Sequence, residues 1–348
     1  MLNKKRITLL SVFIFIVMFA TCSSSSGAAK TYTLSLSTHD PATGPMTKFL
    51  EDWAKQVDEA TGGQVKVTVY PGATLAASNG AAEAVLTGTI DIGWCFTVFF
   101  PNQFPLTQVT TLPMLGLTHP SQAAEVLWDL YDYSENLRAE LSGYKVLMML
   151  GNPSNKIFTA RKPVYSVEDM KGLQMRALSG APTYLLQQWG AIPVSMSPAE
   201  SYEALSKRII DGVIFEYSGT TTVNMQEYLN YYTEVDLYMG VFLLLMNKEQ
   251  WNSMSPELQA KIDSVSLRGV SIEGAKIFYN DDRRSRQLII EKGGNIIEPD
   301  ESIIAGFKVA GDQYAINWVK AQSTGGFDAQ VYYEKAVEFV KKHEGKYP

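Results

Sequence analysis

Residues 45–72 read PMTKFLEDWAKQVDEATGGQVKVTVYPG, and two different periods follow one another within them. Met46, Phe49, Leu50, Trp53, Val57 and Ala60 recur at three- and four-residue steps, which puts them on one face of a helix over 45–61. Gly62-Gly63 supplies the stop. Val65–Tyr70 then alternates at period two, a strand halted by Pro71-Gly72. Upstream, Tyr32–Ser37 alternates in the same way; downstream, 79–86 has helical spacing and 90–95 reads as a strand. Strand, helix, strand, helix, strand in that order predicts an α/β fold built on a parallel, doubly wound sheet.

The pattern continues. Residues 121–141 form an amphipathic helix carrying Trp128 and Leu130, and 145–150 a buried strand. A second β/α series begins after Gly151-Asn152-Pro153, with strands at 157–160, 173–178, 194–196 and 213–217. Helices are expected over 182–189 and from Ser197-Pro198-Ala199-Glu200 to Arg208, the second opened by a capping box. Residues 241–246 read as another buried strand. From Pro256 to Lys292 apolar residues keep helical spacing, with Ser255 as a cap and Gly293-Gly294 as a stop. Unbroken, that helix is roughly 55 Å long at about 1.5 Å per residue, long enough to run along two domains. Gly269 and Gly274 are the places where it would break. Helical sequence also fills 302–320 and 329–344. The partition that follows is 31–152 with 242–280 as domain I, 153–241 with 281–348 as domain II, and helix 256–292 crossing both.

Composition narrows the function. The chain has 348 residues, 46% apolar and 19% charged, enough for two domains with proper cores. A net charge of −6 without a basic run argues against nucleic acid as a partner. Two cysteines make no disulfide framework, and His39, His119 and His343 lie too far apart in sequence to suggest a metal site. No G-x-S-x-G, P-loop or G-x-G-x-x-G motif is present, so no enzyme class or cofactor is indicated.

The first 21 residues read as a secretory signal: Lys4, Lys5 and Arg6, then an apolar run over 7–20, too short to span a bilayer comfortably. Phe19-Ala20-Thr21-Cys22 followed by Ser23–Ser26 resembles a lipoprotein junction, with Cys22 as the lipidated residue and 22–30 as a tether. Cleavage near Ala28 is the alternative. Either way the chain is exported, to the periplasm or the outer face of a bacterial membrane, and its net charge moves from −6 to −9 as three positive charges leave.

One side chain suggests a binding site. In Leu173-Gln174-Met175-Arg176-Ala177-Leu178, alternation puts Arg176 on the face opposite Leu173, Met175 and Ala177, and the strand runs into a helix start. Ligands of α/β sheets bind at the carboxyl ends of strands, and a guanidinium there suits a carboxylate. The competing reading is a surface charge or structural ion pair.

The chain from about residue 32 to 341 resembles the solute-binding proteins of tripartite ATP-independent periplasmic (TRAP) transporters, the DctP type. The resemblance rests on ordered pieces: Tyr70-Pro71-Gly72, Gly88-Thr89-Ile90-Asp91-Ile92, Ser166-Val167-Glu168-Asp169-Met170-Lys171-Gly172-Leu173-Gln174-Met175-Arg176, Gly190-Ala191, Glu200-Ser201-Tyr202-Glu203-Ala204-Leu205, Asp211-Gly212 and Pro256-Glu257-Leu258-Gln259. It implies two α/β domains around a cleft, a long helix crossing both, Arg176 clamping a ligand carboxylate, no chemical step, and delivery to TRAP membrane subunits. Sialic-acid-binding members place Arg, Glu, Asn and Arg where this chain has Lys156, Phe96, Phe215 and Asn79. The resemblance therefore implies an apolar or aromatic monocarboxylate, held by an aromatic wall of Trp94, Phe96, Phe215 and Tyr217. The alternatives are a small 2-oxo or 2-hydroxy acid or a sugar acid, with these rings only packing the core, or a sensor that signals to a membrane receptor. His39, Ser179 and Lys156 are further ligand candidates; a backbone-capping loop histidine, a helix cap and a surface lysine are their structural alternatives.

Overall fold

The computed structural model describes residues 30–100 and 102–347. The signal segment and Cys22 lie outside the described residues. Eleven strands are described: β1 (Tyr32–Ser37), β2 (Val65–Tyr70), β3 (Ile92–Phe96), β4 (Tyr144–Gly151), β5 (Asn155–Thr159), β6 (Gln174–Arg176), β7 (Ile192–Val194), β8 (Gly212–Phe215), β9 (Tyr231–Tyr238), β10 (Val241–Asn247) and β11 (Asn295–Ile297). The α-helices are α1 (Pro45–Ala60), α2 (Ala81–Leu86), α3 (Pro120–Tyr133), α4 (Glu135–Glu140), α5 (Ala181–Gln188), α6 (Pro198–Ser206), α7 (Tyr217–Thr222), α8 (Lys248–Asn252), α9 (Pro256–Ser264), α10 (Leu267–Glu291), α11 (Glu301–Gln322) and α12 (Ala329–Lys342).

The strands form two sheets, in the orders β2-β1-β3-β10-β4 and β11-β9-β5-β8-β6-β7. Each is the centre of a lobe. The expected β1/β2 and β1/β3 pairs are parallel, but β10 runs antiparallel to β3 and β4, and β5 antiparallel to β8 and β9, so both sheets are mixed. The reason is that between β4 and β10 the chain crosses between lobes twice, at 152–154 and at 239–240, and each crossing inserts a strand against the local direction. All seven residues of β10 are buried, because helices cover both faces of its sheet. Leu243 and Leu245 enter one core cluster, Leu244 and Met246 the other.

The helical stretch over 256–292 is not continuous. It breaks at Val265-Ser266, and Leu267 opens α10 at φ +66°. The buried Trp53 Nε1 donates to Ser266 Oγ at 3.1 Å, so α1 pins the break. Gly269 and Gly274 both sit inside α10. Gly274 is there for closeness: a Cβ would meet the Phe49 ring of α1 at 2.8 Å. At 25 residues α10 still serves both lobes, burying Ala275 in the first core and bonding the second through Asp282, Ser285 and Arg286. Residues 121–141 also divide, because Ser134 Oγ caps α4 by accepting from the Leu137 N–H at 3.2 Å.

A second helix bridges the lobes. Phe307 and Ala310 of α11 pack in the second lobe, Ala315 and Trp318 in the first. Helix α12 then packs on the first lobe, where Tyr332, Ala336 and Val340 join its core. The assignment of all of 281–348 to domain II is corrected to that extent: the apolar stripe of α12 faces α3. Charges fasten it there. Asp129 of α3 accepts from Arg268, Lys342 and His343 at 2.7, 2.7 and 2.8 Å. Among the described residues, no helix is long and apolar enough to cross a membrane.

Candidate functional site

The carboxyl ends of β1, β3, β6, β8 and β9 converge between the lobes on a cleft of about 730 Å³. Two short crossings form its floor. They are tied together by Asn152, whose N–H donates to the Gly240 carbonyl at 3.0 Å and whose Oδ1 accepts from the Gly240 N–H at 2.6 Å.

Arg176 ends β6 and is 1% exposed. Met175 and Ala177 on either side are buried in the second core, so alternation turns the guanidinium into the cleft. Its Nε donates to the Met196 carbonyl at 3.2 Å, while Nη2 is buried without a partner. The guanidinium carbon lies 4.8 Å from the centre of the Phe215 ring. No carboxylate of the described residues is within ion-pair distance. Burial lowers the Arg176 pKa, an effect that Tyr238 and Glu216 nearby oppose. A buried guanidinium with a free N–H edge is arranged to receive a carboxylate.

Of the other residues singled out in the sequence, the cleft gathers His39, Phe96 and Phe215. Phe96 stacks on Phe242 at 4.5 Å and meets Phe99 edge-on at 5.4 Å. His39 lies flat over Phe242 at 5.9 Å, with Nε2 4.0 Å from Asp40 Oδ1.

Four others lie elsewhere. Trp94 is 1% exposed and packs behind Phe242 at 5.0 Å, in the core of the first lobe. Tyr217 does not continue the strand: β8 ends at Phe215, and Tyr217 opens α7 with its hydroxyl donating to Glu234 at 2.8 Å. One change of backbone state thus separates two rings that strict alternation would place on one face. Lys156 is drawn off by an acidic group, its ammonium 2.5 Å from Asp236. Burial works against that charge, but Asp236, Asp282 and Glu234 outweigh it and raise the pKa. Ser179 is exposed, and α5 starts two residues later without a side-chain cap.

Sequence reasoning missed Tyr238, Phe242, Phe99 and Glu216. Tyr238 closes β9 just before the crossing and is 7% exposed; burial raises its pKa, and Arg176 counters part of that. The Tyr238-Met239-Gly240 end of an alternating run was the available signal. Glu216 stands between Phe215 and Tyr217, so a strand reading turned it away from the site. Burial, with Asp282 next in size, pushes its carboxyl up to about 7. The described residues hold no cluster suited to a metal ion. The free Cys95 thiol is buried and its pKa is raised by that burial, so it is no nucleophile.

Among known proteins, residues 36–320 match the family model described as bacterial extracellular solute-binding protein, family 7. A protein of Comamonas testosteroni, named outer membrane transporter protein TsaT, is 27% identical over 303 residues, covering 85% of this chain and 87% of that one. A solved TRAP solute-binding protein of a marine metagenome, described as specific for aromatic acid ligands and holding metahydroxyphenylacetate, superposes with a TM-score of 0.84. It is 26% identical, and the match covers 90% of this chain and 99% of that one. A TRAP solute-binding protein from Rhodoferax ferrireducens with copurified benzoate gives a TM-score of 0.82 at 25% identity, covering 89% and 98%. With the family match running through both lobes and the cleft, the chain belongs to the DctP family, the solute-binding proteins of TRAP transporters.

Proposed function

We propose that this chain, exported and possessing a candidate lipid anchor at Cys22, captures an apolar or aromatic monocarboxylate in its interlobe cleft and hands it to TRAP membrane subunits. The observation that carries this reading is Arg176: a buried guanidinium with Nη2 unpartnered, set against Phe215 and opening on a cleft walled by Phe96, Phe99 and Phe242. The carboxylate takes the free N–H edge. Tyr238 supplies a second donor beside it. The ligand body lies on the rings, where burying a side chain of phenylalanine size stabilises by about 1.5–3 kcal/mol. A polyhydroxylated ligand is disfavoured there, since each hydroxyl left against Phe96 or Phe215 costs about 1–3 kcal/mol. The aromatic-acid and benzoate ligands of the two solved relatives agree with this chemistry.

A thermal-shift screen of the chain from residue 28 onward tests it, with aryl carboxylates, 2-oxo acids and sugar acids as probes. Aryl or other apolar acids should raise the melting temperature most, by mass action. Shifts confined to oxo, hydroxy or sugar acids would make Phe96 and Phe215 packing residues and overturn the ligand assignment. Mass spectrometry of the membrane-fraction protein tests the anchor: an acylated Cys22 peptide is expected, and a free N-terminus near residue 28 refutes it.

A further inference from the structure

Glu216 stands at a helix-capping position and does no capping. It immediately precedes α7, yet its side chain makes no cap bond. The cap comes from α10 instead, where the buried Asp282 accepts from the Ser218 N–H at 2.8 Å. No hydrogen bond or ion pair from another residue reaches the Glu216 carboxylate among the described residues. Space is kept for it all the same: a Cβ on Gly219 would come within 2.6 Å of Glu216 Oε1. Released from the helix, Glu216 lines the cleft.

The charges that line the cavity do not balance. Asp40, Glu216 and Asp281 face the single guanidinium of Arg176. Arg284 engages Asp281, and Lys156 is held at Asp236. Asp40 follows β1 in the first lobe; it accepts from the Thr38 hydroxyl at 3.1 Å and has His39 Nε2 at 4.0 Å. Glu216 follows β8 in the second lobe, so the two walls carry like charge. Arg176 is buried with Nη2 unpartnered and calls for a carboxylate. That carboxylate would use the one fixed cation lining the cleft and leave Glu216 uncompensated where water has been displaced, which is costly. A hydroxyl on the ligand would supply a donor without charge; an ammonium supplies both. The like charges of Asp282 and Asp40 already act on Glu216, and a cation is what relieves them. We propose that Glu216 is a specificity-determining residue, and that the acid held by Arg176 also carries an ammonium group, which donates to the Glu216 carboxylate with Asp40 opposite it on the other lobe. The ligand is then a zwitterion with an apolar or aryl body. The inference rests on Arg176 holding a carboxylate and adds the opposite charge.

Calorimetry at pH 7 with matched acids tests this. Phenylacetate, mandelate and phenylglycine put hydrogen, hydroxyl and ammonium on the same carbon. The 3- and 4-substituted methyl, hydroxymethyl and aminomethyl phenylacetates do the same at the far end of the ring. The expected result is that in at least one set the ammonium compound binds wild type at least about tenfold tighter than both neutral partners. In Glu216→Gln, which keeps the shape and an acceptor oxygen but not the charge, that ratio should fall to about one. A preference that survives in Glu216→Gln would overturn the role of Glu216. Neutral acids that bind wild type as well as or better than their ammonium partners in every set would overturn the ammonium while leaving the carboxylate on Arg176 intact. No binding of any member would overturn the underlying reading itself. The wild-type comparison needs no variant, so a misfolded mutant does not blunt the test.

Discussion

Replacing Arg176 by Met should move binding and folding in opposite directions. The side chain is 1% exposed, makes one hydrogen bond, to the Met196 carbonyl at 3.2 Å, and leaves Nη2 unpartnered. The unliganded protein thus carries a buried charge without a counter-ion. Met has a similar length and packs beside Phe215, so removing the charge should leave the melting temperature unchanged or raise it. The liganded protein loses far more. Hydrogen bonds to charged groups are worth about 1.5–3 kcal/mol each. A carboxylate held by two of them should lose roughly 3–6 kcal/mol, a Kd weakened about 100- to 20,000-fold. Calorimetry with the best acid from the thermal screen gives the affinity, and melting of the unliganded protein gives the stability. A Kd within about tenfold of wild type would refute the clamp. So would a fall in melting temperature beyond about 3 °C, near 2 kcal/mol for a chain of this size, because it would mean that Arg176 is a structural residue.

Trp94→Phe should cost about 1–2 kcal/mol of stability, because the ring is core behind Phe242. Its Kd should stay within about threefold of wild type; a loss above about tenfold would put Trp94 in the cleft. Gly240→Ala adds a Cβ 2.2 Å from the Phe96 ring at the lobe crossing. Denaturant titration should show about 1–3 kcal/mol of destabilisation, with weaker binding of apolar acids, and an unchanged affinity would mean that Phe96 does not touch the ligand. Asp129→Asn reports on the C-terminal fastening. Burial opposes ionisation of Asp129, but hydrogen bonds from Lys342, His343 and Arg268 prevail and hold its pKa from 3.8 down to about 2. A depressed acid stabilises above its unfolded value and loses that contribution as pH falls, here between pH 4 and 2. The variant should be about 2 kcal/mol less stable than wild type at pH 6, with the gap closing toward pH 2. A gap that does not change with pH would show that the loss is not electrostatic.

The elements that could be read along the chain are those whose signal is local. Helix α1 and strand β2 match the stretch from 45 to 70 because each carries its own period and its own stop. The capping box at Ser197 and Glu200 is present as expected, Ser197 Oγ accepting from the Glu200 N–H and Glu200 from the Ser197 N–H. Arg176 was legible for the same reason: three residues of alternation and a following helix suffice to aim it. The break before α10 was not, because Ser266 has no helix-stopping chemistry of its own and is held by Trp53, 213 residues away in sequence.

The residues of the cleft divide along the same line. Periodicity, capping and the family's motifs are enough to establish two α/β lobes, the exported class and the arginine at the cleft, since all of these rest on neighbours a few residues apart. Which aromatic rings face the cleft is another matter. Phe215 and Tyr217 part company because β8 gives way to α7 between them, and Lys156 is claimed by Asp236, 80 residues on. Phe242, Tyr238 and Glu216 reach the cavity only because two chain crossings bring the ends of β8, β9 and β10 to one place. Those meetings are set by strand pairing and burial across the whole chain, and no local period records them.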